Sequence, residues 1–128
     1  MSSTYKPQGY NSVSPYLVVN GADATIAFLQ EVFDATLLFR LADGGRVMHA
    51  EVRIDDSVIM LADGAADFSS LPAHVHVYVP DVQACYQRAL AAGATSLQEP
   101  MRKQDADRRG GVRDAGGTSW WIGTKEGQ

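Results

Sequence analysis

Cysteine is nearly missing from this chain, with Cys85 the single one present. That excludes an intramolecular disulfide and any CxxC-type zinc or redox motif, and it points to a cytoplasmic protein. Long apolar runs are missing too, since none approaches the ~20 residues that a bilayer crossing needs, so no membrane partner is expected. A basic surplus is also absent. Eleven Lys and Arg stand against fifteen Asp and Glu, a net charge of −4, whereas nucleic-acid phosphates call for a basic stripe. The one basic block, Arg102 to Arg113, is interrupted by Asp105 and Asp107. The opening MSSTYKPQGYNS lacks the basic and apolar regions of a secretory signal. There is no GxSxG, P-loop or GxGxxG motif, and the pairs Gly44-Gly45, Gly110-Gly111 and Gly116-Gly117 read as turn chemistry.

What is present suits one ordinary domain. The 128 residues are 45% hydrophobic and 20% charged, enough to bury roughly two-thirds of the unfolded surface. A faint repeat with a period of about 60 residues divides the chain. Ser14 to Val19 is a period-2 strand pattern followed by Asn20-Gly21 and a helical stripe of Ile26, Leu29, Val32 and Phe33. His74 to Val79 is a second such strand, followed by Pro80-Asp81 and a stripe of Val82, Cys85, Tyr86, Ala89 and Leu90. Asp81 is suited to cap the second helix, and Gly93 to end it in a left-handed conformation. Three strand-like segments follow each helix: 36–41, 47–54 and 57–63 in the first half, and 95–98, 112–114 and 118–124 in the second. The polar stretch 101–111 reads as a long loop. The expected organisation is one domain over 1–128, with a βαβββ module at about 12–64, a linker at 65–72 and a second βαβββ module at about 73–125.

Strand alternation sorts the side chains onto two faces. One is apolar: Pro15, Leu17 and Val19; Met48, Ala50, Val52 and Ile54; Val75, Val77 and Val79; Trp120 and Ile122. It should pack on the helices. The other is mixed: Ser14, Tyr16 and Val18; Val47, His49, Glu51 and Arg53; His74, His76 and Tyr78; Ser119 and Trp121. All three histidines lie on it, so it reads as a cleft face. The plainer reading of Glu51 and Arg53 is an ion pair on a wet sheet, that of Met60 is core filler, and that of Cys85 is inert packing.

The order and spacing of these pieces carry a resemblance: the strand–helix opening, Gly45 to Asp63 (GRVMHAEVRIDDSVIMLAD), His76 to Val82 (HVYVPDV) and Val112 to Gly117 (VRDAGG). Over residues 10 to 125 the chain resembles the vicinal oxygen chelate superfamily, in its glyoxalase/bleomycin-resistance-like branch. The resemblance implies an α+β fold of two paired βαβββ modules whose curved mixed sheets enclose a cleft, completed by a homodimer. It also implies metal-ligand positions at four strand sites, which here fall on Ser14, Met60, His74 and Trp121. Only His74 is a good ligand, and a hard or borderline cation needs at least three. No metal or other cofactor is therefore expected. A relocated cluster of His49, Glu51, His74 and His76 is the alternative, although side chains two apart on a strand sit about 6–7 Å apart, far for joint chelation.

The swap of carboxylates for Met and Trp turns a metal pocket into an apolar, aromatic one. The expectation is a binding module, similar to the drug-sequestering resistance proteins of the family, that holds an apolar or aromatic small molecule. Its expected ligand-binding residues are Tyr16, His49, Glu51, Met60, His74, His76, Tyr78, Arg108 and Trp121, with Phe68 as a further candidate. The alternative is a metal-dependent lyase, isomerase, dioxygenase or thiol transferase of the same family.

Overall fold

The computed structural model describes residues 5–127. The chain runs β1 (Tyr16–Val19), α1 (Ala22–Phe33), β2 (Thr36–Asp43), β3 (Arg46–Ile54), β4 (Ser57–Asp63), β5 (Ala73–Tyr78), α2 (Val82–Ala91), β6 (Thr95–Arg102), β7 (Asp107–Arg113) and β8 (Thr118–Lys125). The eight strands form two separate four-stranded sheets, ordered β1-β4-β3-β2 and β5-β8-β7-β6. Each sheet is mixed, because β1 runs parallel to β4 and β5 parallel to β8 while the other pairs are antiparallel. This is the expected α+β βαβββ-βαβββ order. The two sheets do not close on one another.

The helices form where the apolar stripes lie. α1 buries Ile26, Leu29, Val32 and Phe33, and α2 buries Val82, Cys85, Tyr86 and Ala89. Asp81 caps α2 by accepting the Ala84 N–H at 3.1 Å, and Gly93 follows the helix at φ 101°. The helices meet each other through Arg88, whose guanidinium donates twice to the Val32 carbonyl. One core joins both modules, with Leu17, Val52, Leu61, Val112, Trp120 and Ile122 under the two helices. Trp120 is fully buried, sits 5.3 Å from the Phe33 ring, and donates its indole N–H to Asp114 at 2.8 Å. The same carboxylate accepts the Gly116 and Thr118 N–H groups, so it pins the β7–β8 turn to the core. No helix among the described residues is long and apolar enough to cross a membrane.

Two sequence expectations need correction. In β3 the strict alternation fails: Val47 is fully buried and Met48 is 42% exposed, the reverse of the assignment above. The register slips between Leu41 and Ala42, so Met48 is an extra residue that flips the face of everything before it. Asp63 holds this irregularity, accepting the Val47 N–H together with those of Gly21 and Ala22 at the start of α1. Burial would raise the Asp63 carboxyl, but the three backbone donors outweigh it and hold the group below its ordinary value.

The second correction is the stretch 101–111, which is strand at both ends: β6 runs to Arg102 and β7 starts at Asp107. The sequence pattern marks only the end of β7, at 112–114; polar composition hides residues 107–111 because their charges find partners in place. Arg108 pairs with Glu126, and Arg109 with Asp105 and Asp107. The strand is hydrogen-bonded on both sides, by β6 and β8. Pro100 is tolerated because β6 is an edge strand whose register shifts between Gln98 and Met101.

Candidate functional site

The side chains expected to line a cleft fall into two groups, one on each sheet. On the first sheet Tyr16, Met60 and Glu51 lie side by side, since Tyr16 pairs with Met60 and Met60 with Glu51 across β1, β4 and β3. His49 is two residues from Glu51 on β3, and the two bond through Nε2 and Oε2 at 2.8 Å. The Tyr16 hydroxyl lies 3.3 Å from the other ring nitrogen of His49. Tyr10, from the segment before β1, donates its hydroxyl to Glu51 at 2.5 Å. That bond is the main reason the Glu51 carboxyl sits below its ordinary value, reinforced by His49 against the cost of burial. Glu51 is therefore not paired with Arg53, whose guanidinium reaches the Gly9 carbonyl instead. Phe39 and Phe68 complete the surface: Phe39 lies 6.0 Å from the His49 ring, and Phe68 stands edge-on to Tyr16 at 6.3 Å.

On the second sheet His74, His76 and Tyr78 alternate along β5 and face Trp121 of β8. The Trp121 indole N–H donates to Nδ1 of His74 at 3.0 Å, and the two rings lie within 9° of parallel. Two glycines make room for aromatic rings. A Cβ at Gly111 would stand 2.4 Å from the Trp121 ring, and one at Gly123 would stand 3.2 Å from the His76 ring. Trp121 thus lies across the sheet like a tile on the bare backbone of β7. Beside it, Arg109 donates to Nε2 of His76 at 3.0 Å and to Asp107 at 2.8 Å, and Tyr78 donates to the same Asp107 at 2.6 Å. Burial first, then the Arg109 charge, keeps the His76 imidazole below its ordinary value. A cavity of about 450 Å³ opens here, bounded by Gln98, Met101, Lys103, Arg109 and Trp121.

Arg108 is placed elsewhere. It pairs with Thr124 across the ladder, on the helix side of the sheet, and lies beside Val82 and Gln83 of α2. Its neighbour Arg109 occupies the face with Trp121, as alternation requires once β7 is known to be a strand. Sequence reasoning also missed Tyr10 and Phe39. Phe39 was legible in principle, because its cross-strand partner is Glu51. Tyr10 precedes any periodic pattern, and nothing in the sequence marks it.

With this geometry in hand, comparison with known proteins decides the family. The model of the Glyoxalase/Bleomycin resistance protein/Dioxygenase superfamily matches residues 10–122. The chain belongs to that superfamily. Among curated proteins it is similar to the uncharacterized protein Rv0887c of Mycobacterium tuberculosis, with 35% identity over 88% of this chain and 73% of that one. Mb0911c of Mycobacterium bovis is equally similar, at 35% identity and 82% of its length. Among solved structures, TioX from Micromonospora sp. ML1 superposes with a TM-score of 0.76 at 25% identity, covering 90% of this chain and 98% of that one. The fosfomycin resistance protein FosX from Listeria monocytogenes gives 0.74 at 20% identity, covering 92% and 94%, and shows the shared fold.

The metal positions that the superfamily implies do not fit a metal in this chain. A hydroxyl, a thioether, an imidazole and an indole stand there, at Ser14, Met60, His74 and Trp121. The indole offers no lone pair, and it already occupies Nδ1 of His74 with its own N–H. Among the described residues no three His, Cys, Asp or Glu side chains gather closely enough to hold an ion. His49 and Glu51 bind each other, and His76 binds Arg109.

Proposed function

We propose that this protein is a small-molecule-binding member of the superfamily that holds a planar aromatic ligand against Trp121 without a metal. The observation that carries this is the Trp121 indole lying flat over Gly111, nearly parallel to His74, at a strand position that holds a metal ligand in metal-binding relatives. An indole face can stack on a planar ring, worth about 0.5–1.5 kcal/mol beyond area burial. Arg109, Gln98 and Lys103 on the cavity rim, together with Tyr78 and His76, supply polar contacts that would orient the ligand.

The same reading assigns a homodimer. The two clusters sit on sheets that share no ladder within one chain, and the face of the first exposes Tyr16, Phe39, Leu41 and Phe68. A second copy laying its β5–β8 sheet over this face would cover that apolar surface and close a cleft between the two clusters. Drug sequestration in the cytoplasm is the role such a protein would serve, in keeping with its one free, buried cysteine.

The test is metal content after purification without chelator, together with sedimentation at micromolar concentration and titration with aromatic ligands. A metal-free dimer whose Trp121 fluorescence responds to an aromatic ligand is the expected result. Stoichiometric zinc, nickel, iron or manganese, with an activity lost on chelation, would overturn it.

A further inference from the structure

The first sheet carries an ordered row of polar groups that aromatic stacking does not use. A hydroxyl, an imidazole and a carboxylate stand in line: Tyr16 Oη 3.3 Å from His49 Nδ1, and His49 Nε2 2.8 Å from Glu51 Oε2. The far oxygen of Glu51 is held by the Tyr10 hydroxyl. A carboxylate on Nε2 fixes the proton there, so Nδ1 presents its lone pair toward Tyr16. The groups around His49 are Tyr16 from β1, Phe39 from β2, Glu51 on its own strand, Tyr10 from the preceding segment, and Phe68 beyond Tyr16. Arg53 follows Glu51 along the strand and adds positive charge near Tyr10. Glu51 is held ionised by its two donors, so an imidazolium formed at His49 would have its counter-ion already in contact.

We propose that Tyr16, His49 and Glu51 form a proton-accepting subsite for a weakly acidic hydroxyl, a phenol or enol carried on a planar ligand, which is bound as its anion. The ligand O–H bond breaks, and the proton forms an N–H bond at Nδ1 of His49. The electron pair stays on the ligand oxygen, which accepts the Tyr16 hydroxyl in place of His49. The imidazolium is neutralised by Glu51, and nothing is oxidised or reduced. The inference rests on the aromatic-binding reading in taking the ligand to be planar, but the row itself lies within one sheet of one chain.

The experiment uses two probes of one shape, 4-nitrophenol and its methyl ether 4-nitroanisole, at a pH where free 4-nitrophenol is protonated. The expected result is that bound 4-nitrophenol shows the phenolate absorption band. His49→Gln and Glu51→Gln should each abolish the band. Tyr16→Phe should weaken 4-nitrophenol binding about tenfold more than it weakens 4-nitroanisole binding, the loss of one hydrogen bond to an anion. Thermal melts of the variants establish that they fold. If 4-nitrophenol fails to bind, binds without the band, or keeps the band in His49→Gln, the proton-accepting subsite is refuted. If 4-nitroanisole binds in that case, the aromatic cleft stands alone; if neither probe binds, that reading falls as well.

Discussion

Gly111→Ala probes the aromatic wall with a single methyl group. Gly111 is buried in β7, and its φ lies outside the left-handed region, so the backbone accepts alanine without strain. The obstacle is the side chain above it. The new Cβ would sit 2.4 Å and 2.6 Å from two carbons of the Trp121 six-membered ring. Carbon atoms pack at about 3.5–4.0 Å, so the ring must lift by at least ~1.1 Å. That movement carries Nε1 away from His74, to which it now donates at 3.0 Å. Losing a partly exposed hydrogen bond costs about 0.5–1.5 kcal/mol, and an off-rotamer indole about as much again. The expected destabilisation is therefore about 1–3 kcal/mol, a fall in Tm of roughly 4–12 °C for a domain of this size. Affinity for a stacked ligand such as 4-nitroanisole should drop about tenfold or more. A double-mutant cycle isolates the cause: once Trp121→Ala has removed the ring, adding Gly111→Ala should cost less than about 0.5 kcal/mol. Calorimetric melts of the four proteins measure it. A Gly111→Ala single variant with unchanged Tm and unchanged affinity would refute the placement of Trp121 over β7.

The adjacent tryptophans should behave oppositely. Trp121→Ala should weaken aromatic-ligand binding by about 1.5–3 kcal/mol and cost stability only about 0.5–1.5 kcal/mol, the hydrogen bond to His74, whereas Trp120→Ala should cost about 3–5 kcal/mol of stability; the reverse order in titration and melting would place the register one residue off. Trp120→Phe removes the indole N–H and leaves the buried Asp114 short of a donor, at about 1–3 kcal/mol in a chemical-denaturant midpoint. Glu51 has a folded value below its ordinary 4.5, so its stabilisation is complete above that value and is lost as pH falls through the folded one. Melts of Glu51→Gln should therefore vary less between neutral and acidic pH than those of the parent, and parallel pH profiles would show that its bonds to Tyr10 and His49 do not contribute.

Periodicity carried the architecture because it is a local signal that burial enforces twice. Trp120 and Trp121 differ only in parity, yet one is wholly buried and the other lies on the open face, as alternation along β8 requires. Parity fails where the chain inserts a residue. The bulge at Met48 is invisible locally because Val47 and Met48 are both apolar, and the group that holds it, Asp63, lies sixteen residues away at the far end of β4. The first part of β7 was hidden for a different reason. Its sequence, DRRGGVR, is poor in the β-branched and aromatic residues that mark strands. Its pairing is set by β8 on one side, and two of its charges are met by Glu126 and His76, contacts made by the fold rather than by neighbours in sequence. That single misreading also exchanged Arg109 for Arg108 at the site.

The glycines of β7 and β8 connect these observations. In a strand interior a glycine sacrifices backbone entropy and a side chain's packing, a cost of roughly 0.5–1 kcal/mol against alanine. Gly111 and Gly123 both occur on the face away from the helices, and each lies beneath an aromatic ring, Trp121 in one case and His76 with Tyr78 in the other. Neither has the positive φ that would give it a conformational reason to be glycine. What they provide is depth, since without a Cβ the ring rests on the peptide plane and its outer face stays free. A metal centre needs side chains that converge on a point, whereas here Trp121 lies flat over Gly111 and the His76 and Tyr78 rings meet edge to face. The same geometry that lowers the rings leaves Nδ1 of His74 to the indole and Nε2 of His76 to Arg109. Both imidazoles are thereby committed to partners within the sheet, His74 holding the indole and His76 bound to Arg109.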